Sequence, residues 1–211
     1  LESAVHYGVV PVLAIENVND ALPLADALIA GGLPVAEITF RTAAAPEAIR
    51  RIAESRPEIH IGAGTLLTLD QVDAAVASGA QFAVAPGLNP RIVNRAQELN
   101  LPFAPGVCTP SDVEGALELG CRFLKFFPAE AAGGATMLRA LAGPYGHTGV
   151  RFMPTGGINL GNLPDYGALS VVVAVGGTWI ATKDHLAAGD WDGITARCRE
   201  AVAAAREAMG G

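Results

Sequence analysis

Aromatic residues make up only 6 % of this 211-residue chain, and it holds three cysteines and two lysines. No apolar run approaches the roughly 18 residues needed to cross a bilayer. With so few aromatics, a core has to be built from Ala, Val, Leu and Ile, which an apolar content of 51 % can supply. Cys108, Cys121 and Cys198 form no CxxC pair and have no His-rich neighbourhood. Unpatterned thiols in odd number exclude a disulfide framework and suit a reducing compartment. His6, His60, His147 and His185 are scattered without the i,i+4 spacing of a zinc motif, so no metal and no cofactor is expected. An excess of basic charge is also missing. With 14 Lys and Arg against 21 Asp and Glu, the net charge of −7 argues against nucleic acid or an anionic membrane as partner. Leu1 to Tyr7 lacks the pattern of a signal peptide, and the expected location is the cytoplasm.

What the chain does have is alternation. Short apolar runs ended by Gly, Pro or Thr occur at Val9–Ile15, Val35–Phe40, His60–Thr65, Phe82–Ala85, Pro102–Val107, Phe123–Phe127, Val150–Thr155 and Val171–Val175. Ala-rich amphipathic stretches lie between them, near 18–30, 45–55, 69–78, 90–98, 110–119, 134–141 and 160–167, with a last one near 191–208. Asn17, Thr109 and Asn159 suit helix N-caps, and Gly31, Gly79 and Gly120 suit helix C-termini. Eight strand–helix units imply parallel strands joined by crossovers, hence a single (β/α)₈ barrel domain over residues 1–211. A doubly wound open sheet is the rival. It usually carries a Gly-rich dinucleotide turn after its first strand, where this chain has Glu16-Asn17-Val18. In a barrel, reactive residues belong at the C-terminal ends of several strands.

One of the two lysines, Lys183, sits in a polar Thr-Lys-Asp-His stretch and reads as solvated. The other, Lys125, lies in Phe123-Leu124-Lys125-Phe126-Phe127, where strand alternation makes both faces apolar and turns the lysine to the barrel interior. Burying an ammonium costs several kcal/mol unless it is paired, which favours the neutral amine that can attack a carbonyl. The alternative is a lysine whose stem packs and whose head pairs with a carboxylate. Val35–Arg41 alternates so that Glu37, Thr39 and Arg41 share a face. Glu37 can move protons and Arg41 can bind a carboxylate with two hydrogen bonds, unless the two form a structural pair. Gly62-Ala63-Gly64-Thr65 lets a substrate or another strand come close, and Thr65 could donate to a carboxylate. The Gly156-Gly157 and Gly176-Gly177-Thr178 turns follow the seventh and eighth strands, where barrel enzymes often bind phosphate.

Taken in order, Glu37-Ile38-Thr39-Phe40-Arg41, Gly62–Thr65, Pro86-Gly87, Lys125-Phe126-Phe127-Pro128-Ala129-Glu130, Pro154–Gly157 and Gly176–Trp179 resemble the 2-keto-3-deoxy-6-phosphogluconate (KDPG) aldolase family, some members of which act on 4-hydroxy-2-oxoglutarate. The resemblance runs from about Val9 to the last helix. It implies a metal-independent class I aldolase with Lys125 as the Schiff-base lysine and Glu37 as the general acid/base. It also implies that Arg41 and Thr65 hold the keto-acid carboxylate and that Thr155 lines the pyruvate pocket, with Pro86 and Phe127 as its walls. Gly156, Gly157, Gly176, Gly177 and Thr178 would hold the phosphate, with Thr178 standing where many relatives have serine. A homotrimer is implied as well. The expected reaction splits KDPG reversibly into pyruvate and D-glyceraldehyde 3-phosphate. A 4-hydroxy-2-oxoglutarate aldolase or an aldolase for the galactonate epimer is the near alternative. A phosphosugar-isomerase-like or non-catalytic phosphate-binding barrel, neither of which needs Lys125, is the distant one.

Overall fold

Strands form where β-branched and aromatic residues cluster between Gly, Pro and polar breaks, and helices where Ala-rich segments start on a capping side chain. The computed structural model describes residues 2–210. In the first half, α1 (Glu2–Val5) precedes β1 (Val9–Leu13) and α2 (Ala21–Ala30), followed by β2 (Val35–Thr39) and α3 (Ala45–Ser55). Then come β3 (His60–Gly64), α4 (Leu69–Ala77), β4 (Phe82–Val84) and α5 (Pro90–Glu98). The second half runs β5 (Phe103–Ala104), β6 (Gly106–Val107), α6 (Pro110–Glu118), β7 (Phe123–Phe126) and α7 (Gly134–Tyr145). It ends with β8 (Arg151–Pro154), α8 (Leu163–Gly167), β9 (Val175–Gly177), α9 (Lys183–Ala187) and α10 (Trp191–Met209).

All ladders are parallel. One sheet has the order β5-β4-β3-β2-β1-β9 and the other β6-β7-β8. β5 and β6 are halves of one strand broken at Pro105, whose carbonyl still accepts from Lys125 N at 2.9 Å. Bridges Phe152↔Val172 and Thr155↔Gly176 join β8 to β9, so the eight strands close into a (β/α)₈ barrel. The expected eighth strand, Val171–Val175, is displaced. Val171 to Val173 make only the bridge to Phe152, and the ladder with β1 begins at Val175. An apolar run records burial, and both a strand and a covered approach to one are buried.

Thr68 with Gln71, Thr109 with Asp112 and Thr182 with His185 form reciprocal caps at the starts of α4, α6 and α9. Asn17 caps a 3-10 turn ahead of α2. Asn159 caps no helix; α8 starts later, at Leu163 with Pro164 in its first turn, because Asn159 and Asn162 spend their side chains on a loop. Among the described residues, no helix is long and apolar enough to cross a membrane. The core is aliphatic as expected. The buried polar residues described are Glu37, Thr39, Ser78, Lys125 and Thr155. Ser78 closes a helix end on Ala74 O. The other four lie on β2, β7 and directly after β8, which marks where this barrel departs from packing.

Candidate active site

Glu37 on β2 and Lys125 on β7 are 88 positions apart and meet inside the barrel. Lys125 Nζ donates to Glu37 Oε1 at 2.9 Å and to Oε2 at 3.1 Å, with the two side chains 6 % and 0 % exposed. Of the two readings open for Lys125, the structure shows the head paired. The partner is Glu37, the carboxylate expected to move protons. Desolvation roughly cancels the attraction within such a pair, which makes it weak evidence for stability. It does hold an amine and a proton acceptor within transfer distance in a water-poor interior. The Phe127 ring lies 5.9 Å from Nζ, half-buried, at the outer limit of a cation–π contact.

The other expected residues surround this pair unequally. Thr155 is buried, and its Oγ1 has no hydrogen-bond partner in the described structure, which is uncommon for a buried hydroxyl. Thr39 shares the inward face of β2, but its hydroxyl is committed to Leu13 O at 3.0 Å. Thr65 follows β3 with φ of 59°, a left-handed conformation that costs a β-branched residue about 1–3 kcal/mol and that collects at functional sites. Half-buried Pro86 follows β4, and its backbone packs against Gly106 at the break between β5 and β6. Arg41 lies beyond the end of β2, exposed, and forms no ion pair with Glu37 or any other described carboxylate. A structural Glu37–Arg41 pair is therefore not what holds this strand end. Instead Arg41 lines a mouth cleft with Leu13, Thr39, Thr178 and Lys183.

The Gly156-Gly157 turn lies next to the second glycine pair, which was expected in a turn after the eighth strand but belongs to β9 itself, paired with Val10 and Pro11 of β1. Gly156 and Gly157 have φ of 104° and 81°, and their N–H groups make no hydrogen bond within the described structure, so two adjacent donors remain available to an anion. Gly176 and Gly177 have a further reason to be glycine. A Cβ on Gly176 would come within 2.9 Å of Thr155 Cγ2, and one on Gly177 within 2.7 Å of the Trp179 ring. The expectation was ligand approach; what occupies these Cβ positions is protein. Thr178 is exposed at the rim with Arg41.

A pair that sequence reasoning did not form is Glu130 with Tyr166. The buried Tyr166 phenol donates to Glu130 Oε1, tying the segment after β7 to α8. An apolar, half-helical context around Tyr166 gave no signal of a partner 36 residues away. This pair walls an open cleft of about 530 Å³ between α7 and α8, with Arg139 and Asp165. None of the expected site residues lines that cleft. Its size therefore carries less weight than the chemistry inside the barrel. Among the described residues no group of His, Cys, Asp or Glu could hold a metal ion.

Known proteins resemble this chain over nearly its whole length. The chain is 51 % identical over 194 residues to a 2-dehydro-3-deoxy-phosphogluconate aldolase of Haemophilus influenzae, covering 92 % of this chain and 91 % of that protein. It is 46 % identical over 198 residues to a KHG/KDPG aldolase of Escherichia coli K12, covering 94 % and 92 %. It superposes with a TM-score of 0.90 and 40 % identity on the KDPG aldolase of Legionella pneumophila, crystallised with pyruvate captured at low pH as a covalent carbinolamine intermediate, covering 95 % of this chain and 97 % of that one. The family model for KDPG and KHG aldolases matches residues 2–197, and the chain belongs to that family.

Proposed function

We propose that the protein is a class I aldolase that cleaves KDPG reversibly to pyruvate and D-glyceraldehyde 3-phosphate through a Schiff base on Lys125. The observation that carries the reading is the buried Lys125 held against Glu37 inside the barrel. Glu37 takes a proton from the lysine head, and the Nζ lone pair adds to C2 of the keto acid. Loss of water from the carbinolamine leaves a protonated imine. Once the C4 hydroxyl gives up its proton, the C3–C4 bond breaks and its electron pair moves toward the imine nitrogen. The aldehyde departs and leaves an enamine, which is protonated at C3 and hydrolysed to pyruvate. Glu37 relays the protons of these steps. Arg41, free of any described carboxylate, and Thr65 hold the substrate carboxylate, which contributes positioning. Thr155 lines the pyruvate pocket with its unpaired hydroxyl, and Pro86 and Phe127 wall it. The free N–H groups of Gly156 and Gly157, with Gly176, Gly177 and Thr178, receive the phosphate.

A second activity on 4-hydroxy-2-oxoglutarate is favoured by the family, which joins both substrates, and by the double name of the E. coli relative. We place the enzyme in the cytoplasm as a homotrimer, with exposed Leu67 and Val76 offering apolar outer surface. A light-scattering mass of one or two chains would refute the trimer.

Incubation with pyruvate, reduction by borohydride and peptide mass spectrometry should place a pyruvate-sized adduct on Lys125. Glu37→Gln should lower kcat about 10²-fold or more while pyruvate half-saturation changes far less. An unmodified Lys125 in folded protein would remove the Schiff-base mechanism, and undiminished turnover in Glu37→Gln would remove Glu37 from it.

A further inference from the structure

The second lysine stands between two clefts at the barrel mouth. On one side Lys183 lines a cleft of about 200 Å³ with Arg41, Thr39 and Thr178. On the other it lines a cleft of about 260 Å³ with Glu16, Asn17 and Asp20. Its Nζ rests in the acidic cleft, 2.7 Å from Glu16 Oε1, in a pair whose side chains are 61 % and 64 % exposed. The backbone beneath it is fixed, because Thr182 and His185 cap each other around the start of α9. Only the four-carbon stem and its ammonium are free to move.

An exposed ion pair of this kind is worth about 0–1 kcal/mol, so it exchanges readily for a better anion. A phosphate dianion offers that. The chain carries a net charge of −7, and a substrate with a carboxylate and a phosphate meets unfavourable long-range charge unless cations line its entry. Arg41 is one such cation, and Lys183 is the other that lines the same cleft. With C2 bonded to Lys125, a six-carbon phosphorylated keto acid has to reach past the strand ends, where Thr178 lines the same cleft as both cations.

We propose that Lys183 is a specificity-determining residue: it leaves Glu16, enters the mouth cleft and pairs the terminal phosphate of the substrate. Glu16 is the resident competitor that holds it when no phosphate is present. This rests on the aldolase reading, and the test separates the two. KM and kcat for KDPG are measured for the unaltered enzyme, Lys183→Met, Lys183→Arg and Glu16→Gln, alongside half-saturation by pyruvate in borohydride trapping. Lys183→Met should raise KM for KDPG about tenfold, the loss of one charge-assisted hydrogen bond, with kcat within about twofold and pyruvate half-saturation unmoved. Lys183→Arg should restore most of the KM, and Glu16→Gln should lower it about two- to threefold by freeing the lysine. Raised salt should shrink the difference between Lys183→Met and the parent. An unchanged KM in Lys183→Met, or a matched weakening toward pyruvate as from a loosened α9, overturns the assignment while leaving the Schiff base intact. No pyruvate adduct in the unaltered enzyme removes the aldolase reading whatever Lys183 does.

Discussion

The carboxylate of Glu37 occupies space that any residue other than glycine at position 64 would need. A Cβ on Gly64 would lie 2.7 Å from Glu37 Cδ and Cγ, and Glu37 is fully buried and paired with Lys125. Gly64→Ala should therefore displace the acid/base group while leaving the strand itself intact. Misplacing such a group by about an ångström costs on the order of 10²-fold in kcat, and overpacking costs about 1–3 kcal/mol of stability. Steady-state kinetics on the folded variant checks this, and a parent-like kcat would show that Glu37 does not need its observed position. The same glycines show where sequence reading stopped. Gly62 and Gly64 read as room for a substrate or another strand, whereas the room is taken by the Phe82 ring and by Glu37. Which side chain fills a glycine's space is a long-range fact that alternation cannot encode. Glu37 and Lys125 were legible because a charged residue in an apolar strand stands out; the strained φ of Thr65 was not, because nothing local demands it.

The segments that follow β7 and β8 act as one unit past the ends of their strands. Ala129 N donates to Thr155 O at 2.8 Å and Glu130 N to Gly156 O at 3.0 Å, so pairing continues into the glycine turn. The stem of Glu130 then packs on Gly157, and its carboxylate receives the Tyr166 hydroxyl from α8. Burial, with the Glu130 carboxylate beside it, pushes the Tyr166 phenol far above its ordinary value, so it stays a donor throughout the working range. Tyr166→Phe keeps the ring in the core and removes only the strut. Because Glu130 is largely solvent-exposed, the stability loss should be about 1 kcal/mol, or roughly 2–4 °C in Tm. KM for KDPG should rise several-fold through a looser Gly156-Gly157 turn, with pyruvate trapping unaffected. Equal KM values would mean that the turn is held without the strut. At this scale the sequence placed most strands and helices, since Pro, Gly and caps punctuate the chain. It missed α9, because a five-residue helix with a Thr-Lys-Asp-His start looks like a polar loop, and it displaced β9, because Val171 to Val173 are as apolar as a strand.

Across the whole molecule, the barrel separates its acid sensitivity from its chemistry. His60 opens β3 at the end opposite the site, stacked on Phe82 with ring centroids 5.3 Å apart, and its Nε2 has no partner in the described structure. Burial lowers its folded-state pKa below the ordinary value of 6.5. Below pH 6.5 the unfolded chain takes up a proton at His60 that the folded chain resists, so stability is full above that pH and falls as pH drops toward the folded value. A second, lower window belongs to surface carboxylates. Hydrogen bonds from Arg50 and Arg51 hold Glu47 at about 2, and those from Arg56 and Arg197 lower Asp26 and Asp190. Their contribution is present above the ordinary carboxylate range and is lost as pH falls through their folded values. Being exposed, these pairs are screened by salt. Tm measured from pH 7 to pH 3 should thus fall in two stages. His60→Gln should flatten the stage that begins near pH 6.5 and leave the one in the carboxylate range, while raised salt should shrink the lower stage and spare the upper. Pyruvate trapping at fixed pH should be indifferent to His60→Gln, since the residue lies a full strand length from Gly64 and the Glu37 carboxylate. An unchanged upper stage in His60→Gln would assign that proton uptake to another group.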